Sequence, residues 1–162
     1  MKIVKISQLE GTERAVKFTG GTSYRAVLKS DNIGFAMMKT VIPKGGPHHW
    51  HYVNHYEACY CIHGNGVLTN LTTGEKHNIE PHTVYVLDQH DNHTFEALTD
   101  VVLISVFNPP LSGKESHNEN GVYSADVFDV REKAKQIVKI CDSQKNIYDA
   151  VEKVSDYLTI NQ

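Results

Sequence analysis

Histidine is concentrated in one stretch of the chain. Of the ten histidines among 162 residues, five lie between His48 and His63, and His82, His90 and His93 follow them. Imidazole is the commonest metal ligand of proteins, and it also changes its charge near neutral pH. This density of histidines therefore predicts a metal site.

The residues that lead up to and follow Glu57 are candidates for that site. Alternate residues of a β-strand share one face. Here one face would carry His51, Val53, His55, Glu57, Cys59 and Cys61. A second metal site or a solvated polar rim could be formed by His48, His49, His51 and His55.

Composition limits the class of protein. With 40% hydrophobic and 22% charged residues, the chain is expected to form one domain with a single sizeable core. The formal net charge of -3 gives no electrostatic reason to bind nucleic acid or an anionic membrane. Residues 1–14 contain no apolar run long enough for a signal peptide or a membrane span. Neither a nucleic-acid partner nor a membrane partner is expected.

Cysteine usage points to the compartment. The chain has three cysteines, an odd number, and this favours a reducing cytosol over a disulfide framework. Cys59 and Cys61 flank one residue, and they are expected to fill core space rather than bind a metal, because free cysteine behaves as a small buried hydrophobe. A cytoplasmic protein is predicted.

Short segments rich in β-forming residues, separated by turns, must position these side chains. The predicted strands are residues 2–6, 23–29, 33–42, 56–63, 67–71, 75–79, 83–87 and 101–107. The last of these is almost entirely apolar and is expected to be buried on both faces, whereas Pro43 to Pro47 should interrupt the chain. Closely spaced short strands predict a mainly β fold, a closed or double-sheet barrel.

The pattern changes after Tyr123. Apolar residues recur at helical spacing through two segments of residues 124–162, with Asp129 and Ser143 as expected N-terminal caps. A C-terminal pair of α-helices is therefore predicted. It is expected to cover the barrel or a subunit contact, because most apolar helix stripes bury against their own domain. A partner-binding or lid role is the alternative.

The histidine-rich stretch resembles the two motifs of the cupin superfamily. In the first motif, G(X)5HXH(X)3-4E(X)6G, Glu57 and Gly64 keep their spacing and His51 takes the first histidine position, while Val53 replaces the second histidine. In the second motif, G(X)5PXG(X)2H(X)3N, His93 takes the place of the metal histidine. The resemblance implies a jelly-roll-like cupin barrel with an altered set of ligands.

Five ordered strings narrow the resemblance to the ectoine synthase family. They are GTER, HYVNHYEACYCIHGNG, VYVLDQHDNH, VFNPPLSGKE and HNENGVY. The similarity covers residues 1–123, so the chain is identified as a member of this family whose cupin barrel, residues 1–123, is followed by a helical appendage, residues 124–162.

The resemblance implies a ligand set and a metal. Glu57, Tyr85 and His93 match the metal ligands of ectoine synthases, with His51 and His55 as candidate additional ligands. A carboxylate, a phenolate and an imidazole suit Fe(II), and less selectively Zn(II) or Mn(II). The tyrosine needs the metal to lower its pKa of about 10 before it can bind as phenolate.

The resemblance also implies a reaction. Ectoine synthases are hydro-lyases that close N-acetyl-2,4-diaminobutyrate to a cyclic amidine, ectoine: the amine attacks the acetamide carbonyl and water is lost. A Lewis-acid metal activates the carbonyl, and an acid and a base move the protons. The matching substrate-binding residues are Arg25, Thr40, Tyr52 and Phe107, with Ser105 at a further substrate-binding position, and the matching catalytic residues are Glu115, His117 and Tyr52. Arg25 is expected to bind the substrate carboxylate.

Some pocket positions depart from the family. Gly20 and Gly21 stand in place of the family's tryptophan, Met38 stands where a polar residue is usual, and Ser105 replaces a cysteine. The class of reaction is therefore expected to be retained more surely than the acyl group or chain length of the substrate.

Two other functions remain open at this stage, and the resemblance also bears on assembly. An iron-dependent cupin oxygenase would need two histidines and a carboxylate facing open positions, with His51 or His55 beside Glu57 and His93. A non-catalytic cupin that binds a small acid is the other alternative. By resemblance alone, the protein is expected to be a homodimer.

Overall fold

The computed structural model of the protein describes residues 1–115, 127–144 and 146–160. The chain divides into two compact units, Met1–Ser124 and Ala125–Gln162. The first unit is built of strands and the second of two helices. The predicted catalytic residue His117 lies outside the described residues.

Two antiparallel sheets make up the first unit. Its strands are β1 (Ala15–Phe18), β2 (Gly21–Val27), β3 (Ala36–Ile42), β4 (Gly45–Trp50), β5 (Tyr56–His63), β6 (Gly66–Asn70), β7 (Lys76–Ile79), β8 (Val84–Leu87), β9 (His93–Ala97) and β10 (Val101–Asn108). The larger sheet has the order β1-β2-β3-β10-β5-β8, and the smaller has the order β4-β9-β6-β7. This arrangement confirms the predicted mainly β, double-sheet fold.

The inner faces of both sheets share one hydrophobic core. Cys61 and Leu103 of the larger sheet belong to the same buried cluster as Leu68 and Phe95 of the smaller sheet. Buried residues alternate along β5 and β10, as the period of two in a strand requires. The inward face of the larger sheet therefore looks across the core at the smaller sheet.

Most predicted strands are confirmed within one to three residues, and β5 has its predicted bounds. The prediction for β10 needs a correction, because its residues alternate between buried and half-buried. The strand is central, with β3 on one side and β5 on the other, but only one of its faces turns to the core. The half-buried residues are Val102, Ile104 and Val106.

The prediction of a strand over residues 2–6 is wrong. Residues 1–5 have no regular structure, and Ile6–Gln8 forms a short 3-10 helix. The Lys2 ammonium pairs with the Asp31 carboxylate, and the Ile3 side chain is exposed. Val4 and Ile6 are half-buried, but the segment pairs with no strand of either described sheet.

Three strands, β1, β4 and β9, were not predicted. The β4 strand contains the glycines and the proline that were expected to interrupt the chain. It is an edge strand, where a proline is tolerated because its missing N–H can face away from the ladder. Gly46 has φ +103°, and a Cβ there would lie 2.8 Å from the Phe95 carbonyl oxygen of β9. Glycine therefore permits the close approach of these two strands.

The predicted helical pair is confirmed as α1 (Val127–Ser143) and α2 (Ile147–Ile160), which contact each other. The predicted caps are wrong. Asp129 lies inside α1, and Ser143 is the last residue of α1 rather than the cap of α2. Asn146 caps α2, because its Oδ1 accepts a hydrogen bond from the Asp149 N–H at 3.0 Å. Neither of these described helices is long and apolar enough to cross a membrane.

Candidate active site

The register of the larger sheet brings several predicted site residues together. Glu57 and Cys59 lie on the inward face of β5. Cys59 is paired across the strands with Tyr85 of β8 and with Ser105 of β10, and Ser105 is paired in turn with Met38 of β3. The side chains of this row therefore share one face of the sheet.

A small cavity in the core is bordered by this face. It has a volume of about 20 Å³, which is room for a single water molecule. Six of the predicted site residues line it, namely Thr40, Tyr52, Glu57, Tyr85, Ser105 and Phe107. In this conformation the cavity is too small for an acylated amino acid, so a substrate can enter only if side chains move.

Glu57 is a buried carboxyl group without a basic partner. Its side chain is 6% exposed. Burial raises the pKa of Glu57 to about 7, and hydrogen bonds with Cys59 and Ser105 limit the rise. Neither of the ion pairs Lys2–Asp31 and Arg25–Glu115 includes Glu57. Buried charges are paired or coordinate metals, so a bound cation would stabilise the ionised form of Glu57.

Tyr85 borders two cavities. It lines the small cavity with Glu57, and it lines a second cavity of about 410 Å³ with His93. Burial is the main cause that raises the pKa of Tyr85 well above its usual value, and the nearby Cys59 and Glu57 add to the effect. The hydroxyl is therefore neutral unless a cation stabilises the phenolate.

His93 reaches the core from the smaller sheet. It is paired with Trp50 across β9 and β4, and its ring centroid lies 5.9 Å from that of Tyr52. Burial lowers the pKa of His93 to about 4, so the ring is neutral at pH 7. Its Nδ1 is 2.9 Å from the Asp91 carbonyl oxygen. The Nδ1–H donates to that oxygen, and the lone pair of Nε2 is left for a ligand.

The chemistry of these three groups fits a metal ion. An unpaired carboxylate, a phenol that needs a cation in order to ionise, and a neutral imidazole with one nitrogen fixed by a carbonyl are the donors that such a site uses. In the part of the chain that the structure describes, no three His, Cys, Asp or Glu side chains form a group that could hold a metal. The predicted set contains two such residues and depends on Tyr85 for its third donor.

Arg25 lies on the inward face of β2 but borders a different cavity, together with Ser112 and Gly113. Its side chain is 1% exposed. The Nη2 donates to the Glu115 carbonyl oxygen at 2.7 Å, and Nη1 is 3.8 Å from the Glu115 carboxylate. Nε and Nη1 have no hydrogen-bond partner among the described residues, so the guanidinium retains donors for an anion.

The Glu115 carboxylate is held by its own loop. It accepts hydrogen bonds from the backbone N–H groups of Ser112 at 2.6 Å and Gly113 at 2.9 Å. Burial acts to raise the pKa of Glu115, but these hydrogen bonds outweigh it and keep the pKa below its usual value. The carboxylate is therefore ionised at neutral pH and fixes the loop against Arg25.

His51 and His55 do not line the small cavity. The His51 Nε2 is 2.9 Å from the His90 carbonyl oxygen, and the His55 Nδ1 is 2.8 Å from the Pro109 carbonyl oxygen. Each ring therefore hydrogen-bonds to the backbone. His55 is buried, and the role of both histidines as additional ligands stays a prediction.

Ser23 is a site residue that the sequence interpretation missed. It is buried, lines the small cavity, and its Oγ has no hydrogen-bond partner in the described part of the chain. Its position two residues before Arg25, on the same face of β2, is the signal that could have identified it.

Gly20 and Gly21 also shape this region. A Cβ on Gly20 would lie 2.7 Å from the His48 ring, which stacks on Trp50. A Cβ on Gly21 would lie 2.3 Å from the Val41 carbonyl oxygen of β3. Both positions therefore exclude a side chain in this backbone arrangement.

Comparison with known proteins identifies the family. The model of the ectoine synthase family matches residues 1–127. The chain belongs to this family. As a family member it is an enzyme of the hydro-lyase class, as the resemblance implied. The helical appendage, residues 124–162, lies almost entirely beyond the matched region.

Named relatives and solved structures agree with this assignment. L-ectoine synthase of Halalkalibacterium halodurans is 45% identical over 123 residues, which is 76% of this chain and 95% of the relative. L-ectoine synthase of Marinomonas sp. is 47% identical over 120 residues, 73% of this chain and 93% of the relative. The crystal structure of ectoine synthase from P. lautus has a TM-score of 0.67 at 34% identity, over 70% of this chain and 81% of that one.

More distant structures show the fold alone. The EutQ protein of Clostridium difficile has a TM-score of 0.52 at 14% identity, over 66% of this ectoine synthase family member and 86% of that protein.

Proposed function

We propose that this protein is a metal-dependent cyclodehydratase that closes N-acetyl-2,4-diaminobutyrate, or an analogue with another acyl group or chain length, to a cyclic amidine such as ectoine. The observation that carries the proposal is the family match over residues 1–127, joined to a buried carboxyl group, Glu57, that has no basic partner among the described residues.

Glu57, Tyr85 and His93 would hold the metal. Fe(II) is the proposed ion, and Zn(II) or Mn(II) also suit one carboxylate, one phenolate and one imidazole. When bound, the metal supplies Lewis acidity toward the amide carbonyl of the substrate. Burial keeps His93 neutral, and its Nδ1–H is fixed by the Asp91 carbonyl oxygen. Burial of Glu57 disfavours its ionised form, which the positive charge of a bound metal would stabilise.

Arg25 would bind the substrate carboxylate. Its Nε and Nη1 are buried donors without hydrogen-bond partners among the described residues, and a buried donor without a hydrogen bond is costly until an acceptor occupies it. Thr40 and Ser105, whose hydroxyl oxygens are 3.1 Å apart, supply polar groups at the cavity wall. The rings of Tyr52 and Phe107 meet edge to face at 5.1 Å and exclude water beside them.

Glu115, His117 and Tyr52 remain the proposed proton-transfer groups. Glu115 is ionised at neutral pH and is therefore in the form of a base, although two backbone N–H groups occupy it in this conformation. Its use as a base requires the loop that starts at Ser112 to open. Tyr52 carries a hydroxyl on the wall shared with Glu57, where a proton donor to the departing hydroxide is needed.

The test is an anaerobic incubation of the Fe(II)-loaded protein with N-γ-acetyl-2,4-diaminobutyrate and acyl or chain-length analogues, followed by mass spectrometry. Loss of one water from any of them, abolished by Glu57→Ala and kept by Glu96→Ala at an exposed glutamate of β9, is the expected result. No mass change without oxygen, together with a change when oxygen is admitted, would replace this proposal with the oxygenase alternative.

We also propose a cytoplasmic homodimer. All three cysteines are free, which suits a reducing compartment. The edge strand β8 exposes Val84 and Val86, and an unpaired edge with apolar side chains can pair with a second copy. Light scattering should give twice the mass of one chain, and Val86→Lys should shift it to one chain.

A further inference from the structure

Cys59 is a neighbour of both proposed ligands of the larger sheet, Glu57 and Tyr85. It is the cross-strand partner of Tyr85 on one side and of Ser105 on the other, and it follows Glu57 by two residues on the same face of β5. Its side chain is 1% exposed. The thiol is therefore enclosed by polar side chains in a core that is otherwise apolar.

Hydrogen bonds connect these polar groups in a chain. The Cys59 thiol donates to Glu57 Oε1 with Sγ and oxygen 3.3 Å apart, and its Sγ is also 3.3 Å from the Ser105 Oγ. The Ser105 Oγ is in turn 3.1 Å from the Thr40 Oγ1. Starting on β3, the chain crosses β10 and ends at the carboxyl group of Glu57 on β5.

Cys61 shows what a cysteine does on this strand without such contacts. It is fully buried on the same face of β5. Its Sγ is 3.5 Å from the His63 carbonyl oxygen and 3.7 Å from that of Gly64, at the end of β5 away from Glu57. The two cysteines lie on the same strand and the same face and are both buried. They differ in their hydrogen-bond partners.

Direct binding of a metal by Cys59 has no support. Its Sγ is already engaged in hydrogen bonds with Glu57 Oε1 and Ser105 Oγ. The geometry instead directs the thiol at one oxygen of Glu57. A second group that bonds a ligating carboxylate fixes its orientation, and loss of such a group costs about 10- to 100-fold in metal affinity or activity.

We propose that Cys59 is a positioning residue, whose thiol, supported by Ser105 and Thr40, orients the Glu57 carboxylate toward the metal that Glu57, Tyr85 and His93 would hold. The inference rests on the proposed function, because the orientation of Glu57 matters to metal affinity only if Glu57 binds the metal. Cys59 itself touches neither the metal nor the reacting atoms.

The test compares three variants of the full chain. Cys59→Val removes the donor and keeps an apolar side chain of similar size, Cys59→Ser keeps a donor, and Cys61→Val is the matched control. Zn(II) is the probe, and its dissociation constant is measured by competition with a chromophoric chelator, after circular dichroism melting of each metal-free variant. A merely structural role would alter the melting temperature and leave the affinity of the folded protein unchanged.

Cys59→Val should raise the Zn(II) dissociation constant about tenfold or more relative to Cys61→Val, and Cys59→Ser should retain most of the affinity. Equal affinities for Cys59→Val and Cys61→Val would overturn the inference. If Cys59→Val does not fold, Cys59→Ala removes the thiol with a smaller side chain instead, and an unchanged dissociation constant in that variant would overturn the inference equally.

Failure of the proposed function gives different results. A wild-type protein that binds no stoichiometric Zn(II) overturns both the metal site and the role of Cys59. A wild-type protein that binds metal and loses affinity on Cys59→Val, but removes water from no diamino-acid derivative, supports the positioning role and refutes the reaction. Tight binding and turnover that both survive Cys59→Val refute the positioning role alone.

Discussion

Glu57 should destabilise the metal-free protein at neutral and alkaline pH. Its pKa is about 7 in the folded chain, against an ordinary value of 4.5 that applies when the chain is unfolded. Between these two values the folded protein binds a proton that the unfolded chain has lost. Raising the pH through this interval therefore lowers the free energy of unfolding, and Glu57→Gln, which cannot ionise, should escape the loss.

The size of the effect follows from the two pKa values. The free-energy equivalent of one pH unit is about 1.4 kcal/mol, so an interval from 4.5 to about 7 corresponds to roughly 3 kcal/mol when the pH is well above both values. At pH 5 only about 1 kcal/mol of this difference has developed. The stability advantage of Glu57→Gln over the wild type should therefore grow by about 2 to 3 kcal/mol between pH 5 and pH 8.

Urea unfolding of both proteins after chelation, followed by fluorescence at the two pH values, measures this difference. The change that burial causes in the pKa of His93 is common to both proteins and cancels in the comparison. Glu96→Gln, at an exposed glutamate of β9, is the control and should show the same advantage or deficit at both pH values. If the stability advantage of Glu57→Gln does not grow with pH, the pKa of Glu57 is not raised. The argument that a bound cation would stabilise its ionised form would then fail as well.

Three further outcomes are expected. Tyr85→Phe removes one oxygen donor, so bound iron measured after dialysis should fall well below one per chain. Tyr60→Phe, at a more exposed tyrosine of β5, is the control and should retain its iron. Equal iron in both variants would remove Tyr85 from the ligand set. Arg25→Lys should raise KM roughly tenfold or more, because a charge-assisted hydrogen bond is lost, with a smaller change in kcat; an unchanged KM would contradict carboxylate binding by Arg25. A chain that ends at residue 126 should keep kcat/KM, because the family match ends at residue 127; loss of turnover in a folded truncation would assign the helices a part in catalysis.

The fold could be predicted where local pattern and tertiary structure agree. The β5 strand alternates clearly and has its predicted bounds. The β4 strand could not be predicted, because its glycines and proline are unfavourable in isolation and are tolerated only at the edge that β9 provides. Residues 2–6 show the reverse error. Their weak alternation of apolar and polar residues predicted a strand, but no strand of the two described sheets pairs with them.

The candidate site could be predicted in its residue types but not in its partners. Glu57, Tyr85 and His93 were implied by family resemblance, and the structure places Glu57 and Tyr85 at one cavity and Tyr85 and His93 at another. The contact of Arg25 with Glu115 was not foreseen, because it joins residues 90 positions apart. The bond of Cys59 to Glu57 was missed for another reason: a thiol on a buried face is by default a packing group, and only the distance to Oε1 distinguishes it.

The close approach at Gly21 bears on how this pocket could be altered. A Cβ at that position would meet the β3 backbone at Val41, and backbone cannot move aside as the end of a flexible side chain can. A side chain at position 21, a tryptophan included, would therefore require β3 to shift. The path of the β3 backbone, and not only the side chains of the pocket, thus restricts which residues this part of the protein accepts.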